Sequence, residues 1–195
     1  MTELKRGANS ALTIPASNSL VLTAGYKSKS EKGIQLDLMA IVLDKDQKPK
    51  HGGHDFFFYG TGLYNSIGYG KGYPSYNGAL EMLDFNTEGQ EQKIQINFDK
   101  IPDDVEKIIF LQTIFNADKT RASFNSIQGA YFRLEESGNQ NNSISYNVED
   151  TLNNVTCLQL CEIYRYNGVF KVRALGQGYS KGIKAALRDY SFELE

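Results

Sequence analysis

The chain has 195 residues, a formal net charge of −2 and 41% apolar residues, with 12 Tyr and 11 Phe but no Trp. One domain spanning residues 1–195 is expected at that length, with a substantial core. The near-neutral charge excludes the global basic field of a nucleic-acid binder, and no apolar run approaches the roughly 20 residues of a membrane helix.

Met1-Thr2-Glu3-Leu4-Lys5-Arg6-Gly7 has no apolar signal stretch, so a cytoplasmic protein is expected. Alternating apolar residues then mark strands at 20–24, 34–43, 55–59, 93–98, 107–115, 129–134, 144–148, 157–166 and 169–175. Such short strands separated by Gly, Asn and Asp clusters predict an all-β, mainly antiparallel sandwich. Its expected core is Leu36, Leu38, Phe56, Phe58, Ile94, Ile96, Ile109, Leu111, Phe132, Leu158, Leu160 and Ile163.

Between these strands, His51, His54 and Asp55 flank Gly52-Gly53. They read as a surface turn, with a metal group the less favoured reading because a Gly-Gly loop fixes no ligand geometry. The Gly- and Tyr-rich stretch 60–78 is a candidate functional loop. Pro102-Asp103-Asp104 favours the first turn of a short helix, and the polar tract 136–143 reads as a hairpin loop. Cys157 and Cys161 would stand about 13 Å apart along one strand, beyond the ~7 Å that a disulfide spans, and read as buried apolar residues.

The last thirty residues are the most specific. Asn167-Gly168 sits between two alternating segments, the mark of a hairpin with a primed turn. Ser180 is the expected N-cap of a short helix carrying Ile183, Ala186 and Leu187 on one side. Gly176-Gln177-Gly178 before it reads as a tight turn, with an anion cradle as the alternative. Arg165, Arg173 and Arg188 are either that cradle's cations or cross-strand partners of Glu162 and Asp189.

This string of Tyr164-Arg165-Tyr166-Asn167-Gly168, an aromatic strand, Ala174-Leu175-Gly176-Gln177-Gly178-Tyr179 and a short helix resembles the C-terminus of the TerD family of tellurite-resistance and bacterial stress proteins. The resemblance continues in Leu4-Lys5-Arg6-Gly7-Ala8-Asn9, Asp55-Phe56-Phe57-Phe58-Tyr59, Ile101-Pro102 with Val105-Glu106-Lys107-Ile108, and Phe124 with Gly129-Ala130-Tyr131-Phe132-Arg133. It implies a TerD-like β-sandwich with a short C-terminal helix.

The resemblance also implies calcium at one end of the sandwich, held by carboxylates from three places. Calcium takes six to eight oxygens, so several acids must crowd together. Here Lys27 stands in the first place, Gln35-Leu36-Asp37-Leu38-Met39 keeps one acid in the second, and the loop from Glu81 to Gln92 keeps acids but few glycines. Residual ligands would be Asp37 and Asp84, then Glu88 and Glu91, at a weak calcium site. A Lys27–Asp37 ion pair is the candidate substitute for the ion.

With no Gly-x-Ser-x-Gly elbow and no Walker loop, no catalytic residue or other cofactor is expected. The function implied is a non-enzymatic cytosolic stress-response module, a scaffold whose partners are other stress-response or tellurite-resistance proteins. The alternative is a small-molecule (cyclic-nucleotide-like) or calcium-binding sensor.

Overall fold

The alternating segments fold as strands, seen in a computed structural model that describes residues 1–29, 34–50, 55–58, 78–84, 90–148 and 152–192. In chain order they begin with β1 (Thr2–Glu3), β2 (Asn9–Ala11), β3 (Ser19–Gly25), β4 (Ser28–Lys29), β5 (Leu36–Leu43), β6 (Phe56–Phe57) and β7 (Leu80–Asp84). They continue with β8 (Glu91–Asn97), β9 (Lys107–Ile114), β10 (Ile127–Gln128), β11 (Tyr131–Glu136), β12 (Asn139–Asn147), β13 (Cys157–Tyr166) and β14 (Val169–Tyr179). The described helices are α1 (Ala117–Thr120) and α2 (Gly182–Arg188).

Two six-stranded sheets result, ordered β1-β12-β11-β3-β8-β7 and β2-β14-β13-β9-β5-β6, with β4 and β10 pairing apart. All described pairings are antiparallel except β1 with β12. The sheets pack face to face. Leu22, Ile94, Ile96, Phe132 and Leu134 of the first meet Leu38, Val42, Phe110, Leu158 and Val172 of the second in one apolar cluster. Gln92 also spans the gap, its Oε1 accepting the Leu38 amide at 2.6 Å.

The second sheet is covered on its outer face too. Ile41, Leu43, Ile109, Leu111 and Cys157 lie beneath Ala186 and Leu187 of α2 and beneath Phe192. All eight residues of β5 are therefore buried, which explains why it reads as a near-continuous apolar run. Ile109 and Leu111 belong to this outer cluster and not to the interior, where their neighbours Ile108 and Phe110 point.

Several local expectations change. Phe57 is the buried aromatic of β6 at 4% exposure, while Phe56 and Phe58 are half-buried and stack at 5.3 Å between centroids. Phe56 turns outward to pack near Phe192. Residues 102–106 make a turn, with the Val105 amide donating to Pro102 O at 3.1 Å, and no helix. The loop expected over 136–143 shrinks to Ser137-Gly138, because Gly138 at φ +77° closes the turn and β12 resumes at Asn139. Lys181, not Ser180, occupies the N-cap of α2, and no side chain caps it. Tyr59, His51, His54 and residues 60–77 of the glycine-rich loop lie outside the described residues.

Asn167 and Gly168 take φ of 50° and 77°, so the expected primed turn forms. Upstream, both ladders of β13 shift register between Gln159 and Cys161. This bulge reverses side-chain parity, placing Cys157 in the outer cluster and Cys161 in the interior. Both thiols are free. On β14 the same level is occupied by Gly176 at φ +60°, where a Cβ would collide with the Tyr146 hydroxyl. Gly178 is not left-handed, although a Cβ there would crowd Val155. Gly176→Ala should lower unfolding free energy by about 2–4 kcal/mol, from left-handed strain plus overpacking, and Gly178→Ala by about 1 kcal/mol. Urea unfolding of both variants checks this; equal losses would place the effect in crowding alone.

Candidate functional site

The three places expected to carry the acidic site adjoin through the backbone, the Tyr26 amide donating to Gln90 O at 3.2 Å and the Leu38 amide to Gln92 Oε1 at 2.6 Å, but their described side chains point different ways. Lys27 follows β3, is exposed, and donates its backbone amide to Gln128 O at 2.9 Å. Its aliphatic stem covers Gly129, where a Cβ would come within 2.7 Å of Lys27 Cδ. Among the described residues it makes no ion pair with Asp37.

Asp37 alternates with the interior residues Leu36 and Leu38, so it shares the outer face of the second sheet with Met39 and Ile41. It is 3% exposed, and its Oδ1 has no hydrogen-bond partner. Burial pushes its carboxyl up to about 6, since a low-polarity surrounding penalises the ionised form.

Glu91 faces the other way. Its Oε1 accepts the Tyr131 hydroxyl at 2.5 Å and stands 3.9 Å from Arg133, while Lys93 Nζ is 3.5 Å from Oε2. Tyr131 and Arg133 alternate with buried Phe132 and Leu134, which puts this group on the outer face of the first sheet. The Tyr131 bond, followed by the Lys93 and Arg133 charges, holds the Glu91 carboxyl below its ordinary value despite some burial. Burial and the same bond push the Tyr131 phenol up to about 12. Asp84 closes β7 opposite Lys93, and Glu88 lies outside the described residues.

The side chains of Asp37 and Glu91 thus point to opposite outer faces, although their neighbours Leu38 and Gln92 are bonded across the sandwich. No group of three Asp, Glu, His or Cys converges among the described residues. A calcium ion needs more oxygens than the one unpartnered carboxylate oxygen of Asp37, so the described residues by themselves do not fit that ion.

Arg165 and Arg173 of the C-terminal hairpin are structural. Arg165 Nε donates to Val105 O at 2.9 Å, and its guanidinium stacks over Phe170 at 4.5 Å. Arg173 reaches Glu162 at 3.0 Å from its cross-strand position, and Lys107 reaches the other oxygen at 3.0 Å. Arg188 sits in the last turn of α2. Asp189 instead accepts the Tyr179 hydroxyl at 2.7 Å. Burial pushes the Cys157 thiol up to about 12 and raises Cys161 as well, so neither is a reactive thiolate at neutral pH.

Sequence reasoning missed an open cavity of about 580 Å³, lined by both polar and apolar groups, at the end of the second sheet where β9 stops and β13 begins. Arg121, Lys181, Lys184 and Asp118 line it with Ser123 and Ser180. Only Ser180 to Gly182 carried a signal, as the tail of the glycine string. Arg121 and Ser123 are some sixty residues away in sequence, and only folding sets them opposite α2.

Comparison with known proteins agrees with this architecture. The family model of the TerD domain matches residues 1–190. The chain is 31% identical over 191 residues to a tellurium resistance protein TerD from Alcaligenes sp, covering 96% of this chain and 95% of that one. It is 27% identical over 184 residues to general stress protein 16U of Bacillus subtilis, covering 93% and 92%. A solved TerD homologue from Streptomyces coelicolor superposes with a TM-score of 0.59 at 13% identity, over 89% of this chain and 95% of that one. On its family match over residues 1–190 and its 31% identity to a tellurium resistance protein, the chain belongs to the TerD family of tellurium-resistance and stress-response proteins.

Proposed function

We propose that this chain is a non-catalytic, cytoplasmic stress-response module of the TerD type that acts as a scaffold, with calcium binding weakened or lost. The observation that carries the reading is a family match along residues 1–190 combined with acidic positions of which, among the described residues, only Asp37 is a buried carboxylate. Lys27 and Met39 occupy positions that would otherwise supply anionic oxygens, and Glu91 is engaged by Tyr131, Lys93 and Arg133. The two buried, protonated thiols add no nucleophile. As a scaffold, the protein should co-elute on size exclusion with other stress-response or tellurite-resistance proteins; unchanged elution in their presence counts against that role.

The calcium part has its own test. Millimolar calcium should move the melting temperature by less than about 2 °C relative to chelator, because a ligand stabilises only in proportion to its binding of the native state. A shift of many degrees that Asp37→Asn abolishes would show a working site and overturn the reading.

The buried carboxylate also sets a pH dependence. Its value rises from 3.8 to about 6 on folding, so the native state holds this proton more tightly than the unfolded chain. Stability from this group is full below pH 3.8 and falls as pH climbs through about 6. In chelator, Asp37→Asn should therefore gain on the order of 2 kcal/mol at pH 7 and little at pH 3.5. Urea unfolding at the two pH values measures it; a loss at pH 7 would show that the ionised form has a stabilising partner.

A further inference from the structure

We propose that the cavity between α1 and the start of α2 binds a small phosphate-bearing anion. The site shares no lining residue with the acidic positions discussed above, so it stands or falls independently of the scaffold and calcium readings.

Size and shape come first. At about 580 Å³ the cavity falls within the range that holds small molecules. Charge comes second. Arg121, Lys181 and Lys184 face one acid, Asp118, in a chain whose net charge is −2. None of these three cations makes an ion pair among the described residues. Three cations gathered around a concavity raise the local anion concentration, whereas the same charges scattered over a convex surface would not.

Backbone conformation is the third observation. Arg121 ends α1 in the left-handed region at φ 57°, where glycine is the usual occupant and a Cβ is strained. An arginine therefore lines the cavity from a position whose backbone favours glycine. The donor set matches phosphate. A planar guanidinium gives paired N–H groups, two ammoniums offset a double negative charge, and Ser123 and Ser180 add hydroxyls. Asp37 pairs across β5 and β9 with Thr113 of the cavity wall but does not line the space.

The test uses thermal unfolding and isothermal calorimetry with inorganic phosphate, pyrophosphate, glucose 6-phosphate, glucose and succinate as probes. The phosphate-bearing probes should raise the melting temperature, by about 5–10 °C at a hundredfold excess over Kd. Glucose and succinate should not. Tighter binding of glucose 6-phosphate than of inorganic phosphate would identify a phosphorylated metabolite as occupant, and equal binding would identify free phosphate. Lys181→Glu combined with Lys184→Glu should leave the unliganded melting temperature within about 2 °C and weaken binding about tenfold or more. Arg121→Gly should weaken binding while unliganded stability holds or rises. The proposal is overturned by no response to any phosphate probe, by an undiminished response in the charge-reversed variant, or by succinate binding as tightly as phosphate.

Discussion

The constraint on which the structure depends is that its second sheet is covered on both faces over β5, β9 and the start of β13. The first sheet covers the inner face, and α2 with the segment through Phe192 covers the outer one. Apolar burial on that outer face is modest in extent, so polar contacts fasten the covering segment as well. Gln159 donates to the hydroxyls of Tyr179 and Tyr190 at 3.1 Å each, and Tyr179 donates onward to Asp189. Buried polar groups require partners, and here the same bonds that satisfy Gln159 hold the C-terminal segment down.

Burial on that face explains why Asp37 stands out. Each other buried polar group discussed on that face has an answer: Gln159 in two tyrosines, Glu162 in Lys107 and Arg173. Asp37 Oδ1 has none, and burial raises its carboxyl accordingly. A lone buried carboxylate is a burden on a fold unless it is protonated or offset by a cation. Glu91 shows the opposite outcome, because an exposed sheet face lets a tyrosine, a lysine and an arginine gather around it.

The bulge in β13 links these features. Without it, Cys157 and Cys161 would share a face, and Glu162 would point inward away from Arg173 and Lys107. One extra residue at Leu160 reverses the alternation, so the strand keeps apolar residues inside on both sides of the irregularity. Gly176 on β14 accommodates the same shift with a left-handed backbone that brings it against Tyr146. These glycines serve packing between the sheets, and the basic cavity lies beyond them at the start of α2.

Nine of the fourteen described strands, the Asn167-Gly168 turn and the C-terminal helix were legible in the sequence because each depends on neighbours in the chain, whereas β1, β2, β4, β7 and β10 were not. Alternation and turn chemistry act over two to four residues. Phe57 and the 102–106 turn escaped that reading, since tertiary burial decided which phenylalanine turned inward and whether a helical first turn continued. The acids of the candidate site were visible as residues, but which of them converge was not. Sequence by itself determined the antiparallel strands of the double sheet, which follow from local pattern, while the family was read from the resemblance of its motifs. Only the tertiary structure decided that Asp37 is buried and unpartnered, that Glu91 faces the opposite side, and that Arg121 meets Lys181 and Lys184 across a cavity. The physical reason is that burial and electrostatic environment are properties of what the fold brings near, and those neighbours lie tens of residues away along the chain.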